Sequence, residues 1–311
     1  MNELPQQLAN GLALGALYGL IAIGYTMVYG IVQLINFAHG EIFMIGGFGA
    51  LATYTWVLPS GTPLVVAIPL MIIGGAIASV TVATAAERFA YRPLRGAPRL
   101  APLITAIGLS ITLQQLIWAF YPDAKKALSF PEFQGESFQL TGNLYIQRAD
   151  AFLFVIAPLC MLILGIFVSK SRTGRAMQAT SQDRDTAKLM GINTDRIIVM
   201  AFAIGAAFAA VAAVAYGLDK GQINFEMGFL LGLKAFTAAV LGGIGNIYGA
   251  MVGGIVLGLA EALSIAYIEE IPGMQQLGGG AWANVWAFVL LIVVLLVRPQ
   301  GLLGERVADR A

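Results

Sequence analysis

Ionisable and amide side chains inside apolar runs are the residues whose placement points to chemistry. Lys234 and Glu261 each sit within a run of membrane length, and Asn36, His39 and Glu41 lie in the stretch Gln33–Glu41, QLINFAHGE, whose flanks stay apolar. A charge at membrane depth costs about 3 kcal/mol on insertion scales, and such groups face a bundle interior or a polar route. Their chemistry is therefore ion pairing or contact with a polar cargo. Catalysis fits poorly. His39 is the only histidine and Cys160 the only cysteine, which removes His-cluster and Cys-based metal sites and leaves little material for a Ser-His-Asp triad. No GxxxxGK motif is present. The glycine-rich Gly242-Gly243-Ile244-Gly245-Asn246 has no Lys after it and joins two apolar runs, so this chain has no phosphate-cradling P-loop.

The elements that hold these groups are membrane helices. The 311 residues are 58% hydrophobic and 11% charged, whereas a soluble domain carries about 25% charged residues. A net charge of +1 gives no field that points to nucleic acid. Apolar runs cover Leu8–Gly30, Ile42–Leu58, Leu64–Ala86, Leu100–Phe120, Ala151–Val168, Ile197–Gly217, Phe229–Leu241, Ile247–Ile268 and Trp282–Val297. The fold class is all-α: a polytopic membrane protein with eight or nine transmembrane helices. The count is nine, with the N-terminus outside, if the first run crosses independently. It falls to eight if QLINFAHGE is a broken or re-entrant helix buried in protein. The whole chain, 1–311, reads as one transmembrane domain with a first half at 8–120, a central loop at 169–196 and a second half at 197–297.

Charge orients the loops. Residues 169–196 hold six Lys/Arg against three Asp, and Glu87–Arg99 holds four Arg and one Glu; both are expected in the cytoplasm, as is the tail with Arg298, Arg306 and Arg310. Tyr121–Asp150 has four acids (Asp123, Glu132, Glu136, Asp150) and three bases, which suits the outer face, and Ser137–Ile146 alternates like a short hairpin. Pro93 and Pro98 argue against a regular helix after the third run. In the central loop, Thr180 and Asp183 make a capping-box-like pair that favours a helix start. Gly191 suits a left-handed C′ position with Ile192 folding back, and Asn193, Thr194 and Asp195 offer N-caps for the next run.

Two further patterns link the halves. Ile35-Asn36-Phe37-x-x-Gly40 recurs as Ile223-Asn224-Phe225-x-x-Gly228, each copy preceded by a Tyr-Gly pair at Tyr29-Gly30 and Tyr216-Gly217. Interrupted segments at matching places in two halves mark an inverted repeat and a transport site near its interface. Asn36, Gly40, Glu41, Asn224 and Gly228, with Lys234 and Glu261, are therefore the candidates for a translocation path. Counting from the turn at Gly242–Asn246, Lys234 stands about 12 Å and Glu261 about 21 Å away at roughly 1.5 Å per residue. That offset of about 9 Å leaves direct pairing open. His39 and Glu41 are expected to cap or bend the break.

The phrases Ile35-Asn36-Phe37-Ala38-His39-Gly40-Glu41 and Tyr91-Arg92-Pro93-Leu94-Arg95, with Arg172-Thr173-Gly174-Arg175-Ala176, Asp183, Ala187 and Leu189-Met190-Gly191-Ile192-Asn193, resemble the permeases of branched-chain amino acid ABC transporters, in particular the H-type subunit. The resemblance runs through Gly242–Asn246 to Glu261 and covers nearly the whole chain. It implies a multi-pass permease of the bacterial inner membrane that is not an enzyme and holds no cofactor, ATP being bound by a partner. The implied partners are a second, related permease, two ATP-binding subunits and an extracytoplasmic substrate-binding protein. The implied coupling loop contains Gly174, Arg175, Ala176, Asp183, Ala187, Leu189, Met190 and Gly191. Urea and short-chain amide permeases resemble the same family, so the cargo stays open, and a self-sufficient carrier or channel is the other reading.

Overall fold

The computed structural model describes residues 4–98, 100–133, 137–141 and 144–304. The expectations placed on Arg99, Glu136, Arg306 and Arg310 fall outside these residues. Among the described residues six helical segments are long and apolar enough to cross a membrane: Leu4–Val32, Leu64–Leu94, Leu100–Phe120, Arg148–Lys170, Thr194–Lys220 and Ile247–Glu270. Two shorter apolar helices, Met227–Gly242 and Ala283–Val297, join them. The chain is thus an all-helical polytopic membrane protein.

In chain order the helices are α1 (Leu4–Val32), α2 (His39–Ala52), α3 (Leu64–Ala86), α4 (Leu100–Phe120), α5 (Arg148–Lys170), α6 (Arg172–Gln182), α7 (Arg184–Leu189), α8 (Thr194–Lys220), α9 (Met227–Gly242), α10 (Ile247–Tyr267) and α11 (Ala283–Val297). Short strands lie at β1 (Leu128–Ser129), β2 (Phe138–Thr141), β3 (Leu144–Ile146) and β4 (Gln222–Ile223). The hairpin expected at Ser137–Ile146 is the antiparallel β2–β3 pair. After α3 the helix does not stop at Glu87. It continues as a π turn, Glu87–Tyr91, and a 3-10 turn, Arg92–Leu94. Pro93 is tolerated because it stands in the first positions of that last turn, where its missing N–H is not needed.

The chain forms two compact units. One comprises residues 1–26, 135–161 and 234–311, the other 27–134 and 162–233. In the first, α1 meets α10 along small residues. A Cβ on Gly15 would lie 2.6 Å from the Cα of Ile255, and one on Gly258 would lie 2.2 Å from the amide nitrogen of Gly15. Such backbone contact is what glycines at four-residue spacing permit.

In the second unit α2, α3 and α8 pack on one another. Twelve of the 14 residues of α2 are buried, as expected of a helix apolar on every side and enclosed by protein. Large apolar side chains stay exposed on α3 (Val65, Ile77) and α4 (Leu100, Ile104), faces suited to lipid.

Candidate functional site

The two copies of the INFxxG motif fold alike. Asn36 Oδ1 accepts a hydrogen bond from the Ala38 amide at 3.1 Å, and Asn224 Oδ1 accepts one from the Glu226 amide at 3.0 Å. Each is an Asx turn, in which a short side chain satisfies the backbone two residues on. The backbone repeats too: His39 donates to the Asn36 carbonyl and Met227 to that of Asn224, and α2 and α9 begin at those residues.

The two helix starts then cross. A Cβ on Gly40 would stand 2.2 Å from the Gly228 carbonyl oxygen and 3.0 Å from Gly232 Cα, while one on Gly47 would meet Met227 and Ile223. From Gly40 to Gly47, α2 thus meets the segment from Gly232 back to Ile223. Gly40, Glu41 and Gly228 are brought together in this way, while Asn36 and Asn224 each stand at the head of their own break.

Each break is held by a different neighbour. Tyr91 Oη donates to Asn36 Oδ1 at 2.6 Å. The second break is strapped by the antiparallel pairing of β1 with β4, in which Ser129 faces Gln222, and by the Phe130 amide donating to the Gly221 carbonyl at 2.9 Å. The Phe130 ring fills the notch left by Gly217, 2.7 Å from where a Cβ would stand.

Glu41 does not cap the break as expected. Asn36 does, and the Glu41 carboxylate turns away to accept from Ser110 Oγ of α4 at 3.1 Å. Asn36 Oδ1 already takes the Ala38 amide, the group that Glu41, third residue of α2, could otherwise reach back to.

Lys234 and Glu261 do pair. Lys234 Nζ lies 2.7 Å from Glu261 Oε1, and the Tyr18 hydroxyl donates to Glu261 Oε2 at 2.9 Å. The axial count could not see this, because it ignores helix tilt and the reach of two long side chains. Tyr18 was missed; nothing in an apolar run distinguishes one Tyr as a partner of a residue more than 200 positions away.

The loop between α5 and α8 folds as two short helices, α6 and α7. Helix α6 starts nine residues earlier than expected, capped by Ser171 instead of Thr180; the Ser171 Oγ accepts from the Gly174 amide at 2.8 Å. Thr180 is no cap: buried near the end of α6, it donates back to the Ala176 carbonyl at 2.7 Å, a bond open to Thr within a helix. Asp183 alone caps α7, accepting from the Asp185 and Thr186 amides. The Thr186 amide and hydroxyl hold its carboxyl below the usual range. At the other end Gly191 has φ +83°, its amide donates to the Lys188 carbonyl, and the Ile192 amide donates to that of Ala187. That is the Schellman arrangement expected at Gly191. Asn193 then caps α8, accepting from the Arg196 amide at 3.0 Å.

Residues of this loop divide by face. Gly174, Met177 and Ala187 turn inward, Ala176 is half-buried, and Arg175 is exposed. Leu189 and Met190 stand out at 87% and 78% exposure, a large solvent-facing apolar pair on a polar loop. Beside them lies a cavity of about 640 Å³ whose lining includes Gln33, Arg95, Arg184 and Thr194. Burial and the neighbouring Arg95 charge lower the pKa of Arg184. Asp195 accepts from both Arg92 and Arg95, and Arg95 also pairs with buried Glu87, so the start of α8 is tied to the turns after α3. These partners are some 100 residues apart, which hid the cluster from a reading of local pattern.

The family described as branched-chain amino acid transport system / permease component matches residues 7–297. The chain belongs to that family. The high-affinity branched-chain amino acid transport system permease protein BraD of Pseudomonas aeruginosa is 47% identical over 308 residues, covering 96% of this chain and 95% of that one. The corresponding permease protein LivH of Escherichia coli K12 is 44% identical over 312 residues, with the same coverage. The autoinducer 2 import system permease protein LsrC of Yersinia enterocolitica is 30% identical over 185 residues, 53% of this chain and 49% of that one. As a permease component of a transport system, this branched-chain family member is a membrane transporter subunit and not an enzyme, and its family gives no reason to expect a cofactor in the chain.

Proposed function

We propose that this chain is an H-type permease of an ABC importer that passes branched-chain amino acids across the bacterial inner membrane. The observation that carries the reading is the pair of matching helix breaks crossing at Gly40 and Gly228, set in a chain that aligns over 96% of its length with BraD and LivH. Discontinuous helices of two related halves are where transporters hold their cargo. The likeness to the autoinducer 2 permease extends over only about half of the chain, which favours the amino acid cargo.

In this reading Asn36, Gly40, Glu41, Asn224 and Gly228 shape the translocation path. Lys234 and Glu261, satisfied by each other and by Tyr18, fix helix register. The importer is completed by a second, related permease, two ATP-binding subunits and a substrate-binding protein. The ATP-binding subunit docks on the α6–α7 loop, where Leu189 and Met190 form the apolar anchor and Arg175, Asp183 and Arg184 the polar rim. Gly174 and Gly191 supply the sharp turns, and Ala176 and Ala187 the close packing that makes the loop move with α8.

Co-expression with the neighbouring transporter subunits, purification and reconstitution into vesicles provide the test. The expected result is ATP-dependent leucine uptake that requires a leucine-loaded binding protein and is not competed by urea. Full uptake by the chain alone, without ATP, would replace the importer reading with that of a self-sufficient carrier.

A further inference from the structure

Two polar atoms at the first helix break are buried and lack a hydrogen-bond partner among the described residues: Glu41 Oε2 and Asn36 Nδ2. Both residues are sealed from solvent, at 1% and 3% exposure. The orientation of the Asn36 amide is set by its oxygen, which accepts from Ala38 and Tyr91, so the vacant nitrogen is a donor. One oxygen of Glu41 accepts from Ser110, and none of the described ion pairs gives this carboxylate a cation. A buried carboxylate without a partner is among the costliest groups a membrane helix can carry. Buried polar atoms left open in this way call for a specific explanation.

The location supplies one. Glu41 Oε2 stands 2.5 Å from where a Cβ on Gly228 would be, so the vacant oxygen is at the crossing of α2 and α9. Two helix starts converge there, and the adjoining residues Ile42 and Phe43 are apolar and buried. An open carboxyl oxygen and an open amide donor, on one break with apolar neighbours, match the two ends and the side chain of a zwitterionic aliphatic amino acid.

We propose that Glu41 receives the α-ammonium group of the translocated amino acid and that the Asn36 amide donates to its α-carboxylate. The assignment rests on the importer reading above and adds to it the recognition chemistry. The two glycines close the oxygen off when the crossing is shut, and the ammonium meets it as α2 and α9 part. A neutral cargo such as urea brings no cation and leaves the carboxylate unpaired. The role of Ser110 is to hold the first oxygen so that the second faces the crossing.

The test uses the intact complex in vesicles, with its ATP-binding subunits and binding protein. Glu41→Gln keeps the size of the side chain and a polar contact to Ser110 but removes the charge. Leucine uptake is expected to fall at least tenfold, and Glu41→Asp to recover part of it. A second measurement needs no variant. Dicyclohexylcarbodiimide, which labels carboxyl groups in apolar surroundings, should modify Glu41 in the wild-type complex. Leucine-loaded binding protein with ATP and vanadate should protect it, and unloaded binding protein should not. Uptake by Glu41→Gln within twofold of wild type overturns the proposal, and so does labelling that leucine leaves unchanged. Should Glu41→Gln fail to assemble, the labelling result decides. A wild-type complex that moves no leucine removes the importer reading and this assignment with it.

Discussion

Replacing Gly40 with alanine adds one methyl group at the point where α2 and α9 cross. Its Cβ would stand 2.2 Å from the Gly228 carbonyl oxygen, 3.0 Å from the Gly228 carbonyl carbon and 3.0 Å from Gly232 Cα. Ordinary contact begins near 3.4 Å, so the two backbones must part by roughly 1 Å, and no flexible side-chain end is there to yield. Overpacking of this kind costs about 1–3 kcal/mol, with rigid backbone partners at the top of that range. About 3 kcal/mol shifts the balance between crossed and parted helices by roughly 150-fold. Gly228→Ala loads the same contact from the other side, 2.6 Å from the Gly40 oxygen, so the two changes should not add. Gly108→Ala in α4 is the control: it meets nothing within 4 Å and only improves helix propensity. Leucine uptake in vesicles should fall at least tenfold for Gly40→Ala and Gly228→Ala and stay within twofold for Gly108→Ala. Equal uptake by Gly40→Ala and Gly108→Ala would show that the closeness of the crossing has no part in transport.

Other outcomes follow from other contacts. Leu189→Asp with Met190→Asp, at positions 87% and 78% exposed, should change thermal stability by no more than about 0.5 kcal/mol yet sever ATP hydrolysis from uptake; both rates in the same vesicles check this. Lys234→Ala or Glu261→Ala leaves a buried charge and should cost about 3–5 kcal/mol, whereas the double change Lys234→Met with Glu261→Leu should be much milder in a thermal unfolding assay. Ser129→Cys with Gln222→Cys joins two directly facing positions of the β1–β4 pair in a Cys160→Ser background. The resulting disulfide should stop uptake, and a reductant should restore it; full uptake with complete cross-linking would show that the strap need not open.

Much of the fold was legible because bilayer hydropathy acts locally. Spans, loop caps at Gly191 and Asn193, and the INFxxG recurrence all depend on residues close in sequence. The recurrence was the most informative, since two Asx turns of the same geometry followed from six letters. What local pattern could not supply was the partner of each polar group. Glu41 with Ser110, Asn36 with Tyr91, and Asp195 with Arg92 and Arg95 are joined across 55 to 103 residues. The misplaced helix start at Thr180 has a related cause: two signals competed, and Ser171 won because a helix already begun carries Thr180 inside it. Small size signals close packing without saying against what, and Ala187 packs inward.

The glycine seam between α1 and α10 has a consequence for the making of the protein. Gly15 is built into the nascent chain about 240 residues before its neighbour Ile255, which at roughly 5–20 residues per second is on the order of 12 to 48 s. Throughout that interval α1 is in the membrane without the surface its small residues fit. A helix lined with glycines gains little from lipid contact on that face, so α1 reaches its final packing long after it is made. Substitutions on α10 at Gly254 or Gly258 should therefore leave a full-length but unsettled chain, open to membrane proteases, instead of one that fails to insert.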